Sequence, residues 1–562
     1  MEALLDSRLS KLPEIFNGDA PSSREHLPGS SATEDGESNF GPVFFPQYPF
    51  IVVGSGMGGG MLVRQLMSGA SQLQPKVVLV EKGGITFPTH CLNTSRTHFD
   101  HRSQGGRGRD NEVMFDNYLA SNSTQYKVRR PKEESCGGGS AFELGGRSLF
   151  WSLETPPIRS DRLNKFFPAE VAADLLNDKE PRYADAQRIL ANGPPGDVAY
   201  PQEYVSRATL GQVSEAKIKL AQALKSISIY SSPIESTPNG AEFADANNLY
   251  YFPQGAYSTA DWIQDKLMNQ PSQDISPLAT LLRAPVKGVG VREGKVVKIN
   301  VNGHWFAIGA HQTVILCAGT VDTAGIALRS WGLPSGVSES IGKKLTDHEI
   351  WMNRYWKRIS LDEYKKQKAI ELSCYVTIHG HEALLTICLH AEKFYGHGFA
   401  DGKGGSDAYA ERVNVLNIML EFEAELNDEG RVTLDESKNP QIDMNRKPLD
   451  SSDAFKQEVK KLCKAIREEF GFVPGKGAGQ YDDDQVRLAP WGSVAHEVGT
   501  MRMDGPGRSD GVVDENLKVK GVENLFVCDL SVFPVSPMEN PSLTMTALAM
   551  RLGDHLLGRG GR

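Results

Sequence analysis

Apolar residues fall along this chain in two patterns, unbroken runs and spaced rows, and each predicts a different element. Phe50-Ile51-Val52-Val53 and Val77-Val78-Leu79-Val80 are unbroken. Runs of that kind predict strands buried on both faces, as a parallel sheet requires. Between them a glycine turn leads into Met61-Leu62-Val63-Arg64-Gln65-Leu66-Met67, read as a helix, so the stretch predicts a βαβ unit. Thr313-Val314-Ile315-Leu316-Cys317-Ala318 predicts a further strand that ends at Gly319. Alternation takes over near 282–302: Val286, Val289 and Val291, then Val296, Val297, Ile299 and Val301, with a hairpin turn at Glu293-Gly294.

Helical spacing is clearest where Phe455, Val459, Leu462, Ile466 and Phe470 lie three or four residues apart, with Ser451 or Ser452 as cap. The rest of the region from about 345 to 490 predicts mixed strands. At the end of the chain Leu543, Ala547, Met550 and Leu557 repeat on one helical face; Pro541 suits the first position and Asn540 is placed as the cap. Residues 1 to about 45, rich in Ser, Pro, Gly, Asp and Glu, predict a flexible arm. Residues 85–160 are glycine-rich and irregular, and a stretch so long favours function.

Length changes this picture by dividing it, because 562 residues exceed one ordinary core and predict two intertwined domains. A net charge of -9 argues against nucleic-acid binding, which needs a basic surface. Seven scattered cysteines without a CxxC pair give no metal-ligand spacing and no disulfide framework, which favours a reducing compartment. The N-terminus lacks the apolar run of a secretory signal, and no stretch approaches the ~20 apolar residues of a membrane helix. A cytoplasmic enzyme is the expectation.

The chemistry begins at Gly54-Ser55-Gly56-Met57-Gly58-Gly59, directly after a buried strand and directly before a helix. In that setting the first glycine permits the tight turn, the second lets a pyrophosphate approach, and Gly59 lets helix and strand pack closely. The helix N-terminus offers amides to phosphate. Glu81 ends the second strand, where an acid can accept the ribose hydroxyls and would repel a 2′-phosphate.

Three later segments extend the reading. Gly145-Gly146-Arg147-Ser148-Leu149-Phe150-Trp151-Ser152-Leu153-Glu154-Thr155-Pro156 comes first, and His496-Glu497-Val498-Gly499-Thr500-Met501-Arg502-Met503 second. The third runs from Asp529 through Pro534 to Asn540-Pro541-Ser542-Leu543-Thr544. With these, the chain from about residue 48 onward resembles the glucose–methanol–choline (GMC) oxidoreductases, nearest the pyranose-oxidase-like branch. The resemblance implies an α/β fold: an FAD-binding Rossmann-like domain with an interleaved α+β substrate domain containing a mixed or antiparallel sheet. The FAD domain would take 46–155, 225–345 and 490–562, and the substrate domain 156–224 and 346–489.

By the same resemblance Gly145, Gly146, Ser148, Trp151, Val286, Ala318, Gly319, Asp529, Pro541 and Leu543 join the glycine fingerprint in holding FAD. His496 becomes the base or hydrogen-bond partner, and Asn540 orients the substrate. The branch's flavin-linking histidine is replaced by Phe150, so non-covalent FAD is expected. His348, within Ile341–His348, is expected to be structural, and His98 and His101 to be loop residues. The implied reaction is oxidation of a C–OH group in an alcohol, sugar or natural product, with oxygen or another acceptor taking the electrons. Natural-product tailoring, a non-redox lyase and a flavin binder without turnover remain as alternatives.

Overall fold

The computed structural model describes residues 42–68, 75–85, 87–90, 123–130, 136, 138–177, 181–191, 210–240, 256–270, 276–360, 363, 367, 370–390, 411–444, 449–473, 486–492 and 494–559. The predicted arm up to residue 41, and His98 and His101, lie outside these residues.

Five parallel strands make the first sheet, in the order Leu525–Val527, Thr313–Leu316, Phe50–Val53, Val77–Val80, Leu278–Leu281. Numbered along the chain that order is 5-4-1-2-3, so it reverses direction beside the first strand. Crevices at such reversals, outside the carboxyl ends of the strands, are where open α/β sheets bind ligands. Gly54 and Cys317-Ala318-Gly319 sit there. Helix Met57–Leu66 leaves this point and packs against the C-terminal helix Ser542–Leu556, where Gln65 Nε2 donates to Asp554 Oδ1 at 2.7 Å. The two ends of the chain thus share one core.

The hairpin forms as expected from strands Val286–Arg292 and Lys295–Val301. Glu293 (φ 50°) and Gly294 (φ 72°) make its turn, the two successive left-handed residues that match the twist of a tight hairpin. Phe44 and Phe45, at the edge of the expected arm, are buried instead, because the Phe44 amide donates to the Ala307 carbonyl and both rings pack on Phe306 or Tyr48.

The second body is a six-stranded antiparallel sheet, ordered Arg487–Leu488, Glu349–Ser360, Glu411–Phe422, His381–Leu389, Ile370–Ile378, Glu235–Ser236. Its alternation decides its two faces. Leu416, Ile418, Leu420 and Phe422, with Leu372, Cys374 and Val376, pack with residues of helices Leu210–Ser226 and Asp453–Glu469 in one core. The intervening residues, among them Glu371, Tyr375, Met419 and Glu421, point to the opposite face. Helix Asp453–Glu469 is capped by Ser452, whose side chain accepts from Phe455 N at 3.1 Å.

Residues 158–177 and 181–190, expected with the substrate part, pack instead through Ile158, Leu163, Phe167, Val171 and Leu190 into the first core. Arg182 ties them there by pairing with Asp554 of the C-terminal helix at 2.8 Å. Ala216 to Ile229 belong to the second core.

Candidate active site

A cavity of about 550 Å³ runs from the reversal point of the parallel sheet to the polar face of the antiparallel one. At its first end the glycines divide their work. Gly54 has φ +103°, and a Cβ there would stand 2.3 Å from the Cys317 carbonyl oxygen. A Cβ at Gly58 would reach the Cys528 carbonyl oxygen at 2.0 Å, and one at Gly59 the Gly54 carbonyl oxygen at 2.0 Å. These three are required by backbone packing. Gly56 differs, since a Cβ there meets nothing within 4 Å. It lines the cavity at the N-cap of the first helix, which has no acid in its first turn. A helix start left open to a cavity is an anion-binding arrangement.

Glu81 also lines this end. Its Oε2 accepts from Ser55 N at 3.0 Å and Ser55 Oγ at 2.6 Å, and its Oε1 from Gly83 N at 2.9 Å. Burial raises its pKa, while these bonds and Lys82 oppose the rise. Asp529 plays a matching part for the neighbouring turn, accepting from Gly319 N at 3.0 Å, Thr323 Oγ1 at 2.5 Å and Ser531 N at 2.9 Å.

At the far end His496 lines the cavity, and its Nδ1 lies 2.9 Å from Nε2 of His348. Burial, then His348 and Arg147, hold His496 well below the ordinary histidine range, so it is neutral at working pH. Arg147 is fixed by Glu497 Oε2 and the Ala495 carbonyl, each at 2.9 Å. Asn540 turns its amide nitrogen to Glu154 Oε2. That overturns its expected place as helix cap: Pro541 occupies the N-cap position, no side chain caps the helix, and the buried carboxylate is the acceptor Asn540 finds.

Glu154 begins a row of buried acids that the sequence did not single out. Glu371 accepts from Asn239 Nδ2 at 2.8 Å. Burial, then the neighbouring Glu154, raise its pKa well above the carboxylate range. Glu421, 2% exposed, lines the cavity with its Oε1 3.9 Å from His348 Nε2. A carboxyl raised in the folded state stabilises the fold below its unfolded pKa and loses that contribution as pH rises through the folded value. Glu371→Gln keeps an acceptor for Asn239 and gains a donor toward Glu154. Its melting temperature is therefore expected to gain on the parent's as pH rises from mild acid to mild alkali, by on the order of 2 °C. A gap that narrows with rising pH in thermal melts would refute the raised Glu371 carboxyl.

Of the other expected cofactor residues, Ser55, Met57, Gly146, Ser148, Trp151, Val286, Ala318, Gly319 and Pro541 line the cavity with those already named. Gly59, Gly145 and Leu543 do not. Gly59 faces Gly54, Gly145 (φ +97°) faces Ala260, and Leu543 is 2% exposed in the first core. His348, expected to be structural, is hydrogen-bonded to His496. No metal set was expected from sequence spacing, yet the fold brings ligand atoms of His348, Glu421 and His496 within 4.8 Å of one another. The histidine–histidine bond already satisfies the two facing nitrogens, so the group reads as a hydrogen-bonded pair beside an acid. Phe150 borders the cavity and packs edge-on against Phe87, with centroids 5.4 Å apart. The six described cysteines are all free. No helix among the described residues is long and apolar enough to cross a membrane.

Comparison with known proteins adds sequence and fold relatives. Residues 427–549 match the family model described as GMC oxidoreductase. An uncharacterised GMC-type oxidoreductase of Sinorhizobium fredii is 45% identical over 84 residues, 14% of this chain and 17% of that one. A C-glycoside 3-oxidase of Microbacterium trichothecenolyticum is 35% identical over 82 residues, 15% of this chain and 16% of that one. These curated relatives are therefore matched over about a sixth of their length. Solved structures of formate oxidase from Aspergillus oryzae RIB40, studied for FAD modification, and of pyridoxine 4-oxidase from Mesorbium loti share the fold. The first has TM-score 0.59 at 15% identity, covering 93% of this chain and 99% of its own. The second has TM-score 0.57 at 15% identity, covering 92% and 100%.

Proposed function

We propose that this chain, whose residues 427–549 match the GMC oxidoreductase family model, is an FAD-dependent enzyme of that family oxidising a C–OH group. The observation that carries the reading is one cavity joining an open helix start at Gly56 to the neutral His496 and the held Asn540. The residues fit the cofactor. Gly54 to Gly58, with Glu81, would hold the ADP half in a Rossmann-like arrangement, Val286 would flank the adenine, and Ala318-Gly319 with Asp529 the middle. Phe150 replaces the histidine that would tether the ring, so the FAD is non-covalent.

When bound, FAD supplies the acceptor for the carbon-bound hydrogen, which leaves as hydride. The protein's part is the proton. His496 is held neutral by burial and by the nearby guanidinium, and with Nδ1 engaged by His348 its Nε2 is the nitrogen left to take the hydroxyl proton. Asn540, its nitrogen turned to Glu154, presents a fixed amide that orients that hydroxyl. The substrate is an alcohol, sugar or natural product, and the electrons pass on to oxygen or another acceptor. Names such as C-glycoside 3-oxidase and pyridoxine 4-oxidase support an oxidation in this family.

The test is anaerobic titration of the purified yellow protein with a panel of sugars, polyols, aryl alcohols and aliphatic alcohols, followed by acid precipitation. Bleaching by a panel member, with flavin recovered in the supernatant, is expected. A flavin that no alcohol bleaches overturns the reaction, and one that stays with the precipitate overturns the non-covalent attachment.

A further inference from the structure

We propose that His348 is a positioning residue that fixes the tautomer of His496, accepting a hydrogen bond at its Nε2 so that His496 carries its proton on Nδ1 and leaves Nε2 free as base. This rests on the reading of His496 given above and extends it to a residue that does not line the cavity.

Two independent features place the pair. Thr346 and Val498 exchange backbone hydrogen bonds, Thr346 N to Val498 O at 3.2 Å and Val498 N to Thr346 O at 2.8 Å, in an antiparallel bridge. Two residues further along one segment and two back along the other, His348 and His496 stand opposite each other. Asp347 then clamps the same segments, accepting from His348 N at 2.9 Å and from Gly492 N at 2.8 Å. The rings meet with centroids 5.0 Å apart at 51°, and Nε2 of His348 lies 2.9 Å from Nδ1 of His496.

One proton serves that contact, and its position decides the chemistry. If it sits on His348, Nδ1 of His496 accepts it and the neutral ring must carry its own proton on Nε2, where it is useless as a base. If it sits on His496, Nε2 is a lone pair facing the cavity. Once His496 has taken the substrate proton, the same bond, now from an imidazolium, is charge-assisted and stronger. With His348 as acceptor, the pair presents a free Nε2 before transfer and holds the cation after it.

Glutamine and leucine at position 348 separate this role from bulk. A glutamine places a carbonyl oxygen near the position of imidazole Nε2 and accepts a hydrogen bond without titrating; leucine fills space and accepts nothing. Both variants are compared with the parent at equal flavin content, by stopped-flow anaerobic reduction with the panel alcohol that bleaches the parent. His348→Leu is expected to lower the limiting reduction rate roughly 100-fold at unchanged substrate half-saturation, and His348→Gln to stay within about threefold of the parent. Equal losses in the two variants, or a leucine variant at parental rate, would overturn the proposal. Should His348→Leu lose its flavin, His348→Gln alone decides, since a large loss there contradicts a pure acceptor role. If His496→Ala also reacts at parental rate, the fault lies with the reading of His496 and not with the tautomer.

Discussion

His496→Ala is expected to reduce its flavin roughly 1,000-fold more slowly than the parent under anaerobic substrate, with flavin content nearly unchanged and melting temperature lower by only about 2 °C. The magnitude follows from what the substitution removes. A positioned base contributes about 10²- to 10⁴-fold, and no other group stands in its place: His348 sits behind His496, against Nδ1 and off the cavity, and Glu421 is buried with its carboxyl pushed up by that burial. The cost to stability should be small but real, about 1 kcal/mol, because the buried His348 loses its hydrogen bond to His496. In the pH profile the parent keeps a working base down to acid pH, since His496 titrates well below the ordinary histidine range. The alanine variant should lose that limb and rise with hydroxide instead. Parental reduction rates in the variant, measured by stopped flow, would remove His496 from the mechanism.

How far the sequence foretold this site depends on the range of each interaction. Local patterns were readable: the continuous strands 50–53 and 77–80, the left-handed pair Glu293-Gly294, and the Ser452 cap all form as their residues dictate. The two histidines were not paired in the sequence, because what joins them is a bridge between Thr346 and Val498 that no local rule encodes. The acids were hidden for a different reason. Glu421 lies in a strand whose alternate residues, Leu420 and Phe422, are core, so alternation predicts a solvated opposite face. That face is covered by the first body, and a residue typed as surface becomes a buried acid. For Asn540 the local pattern predicts a helix cap beside its substrate-orienting role, and the long-range partner Glu154 displaces only the cap. Gly59, Gly145 and Leu543 belong to matching segments but serve packing, which a segment match cannot distinguish from ligand contact.

Gly56 offers the sharpest test of whether the cavity belongs to a dinucleotide. Its backbone, φ -63° and ψ -167°, suits any residue, and a Cβ there meets nothing within 4 Å. The fold therefore gives no reason for glycine at this position, and the space in front of it is the only thing a substitution can fill. Gly56→Val should purify folded, with a melting temperature close to that of the parent's flavin-free form, but colourless. Its affinity for added FAD should fall at least about 100-fold, or roughly 2.7 kcal/mol. The companion change Gly58→Val should behave differently, because its Cβ would stand 2.0 Å from the Cys528 carbonyl oxygen, and backbone cannot give way as a side chain can. That variant is expected to lose the packing between the two chain ends and to fail in folding, read as loss of soluble protein or of cooperative melting. The contrast is the evidence: one glycine kept for the ligand, the other for the chain. A Gly56→Val protein that purifies yellow, with FAD at parental affinity in a fluorescence titration, would show that the open helix start does not face the pyrophosphate.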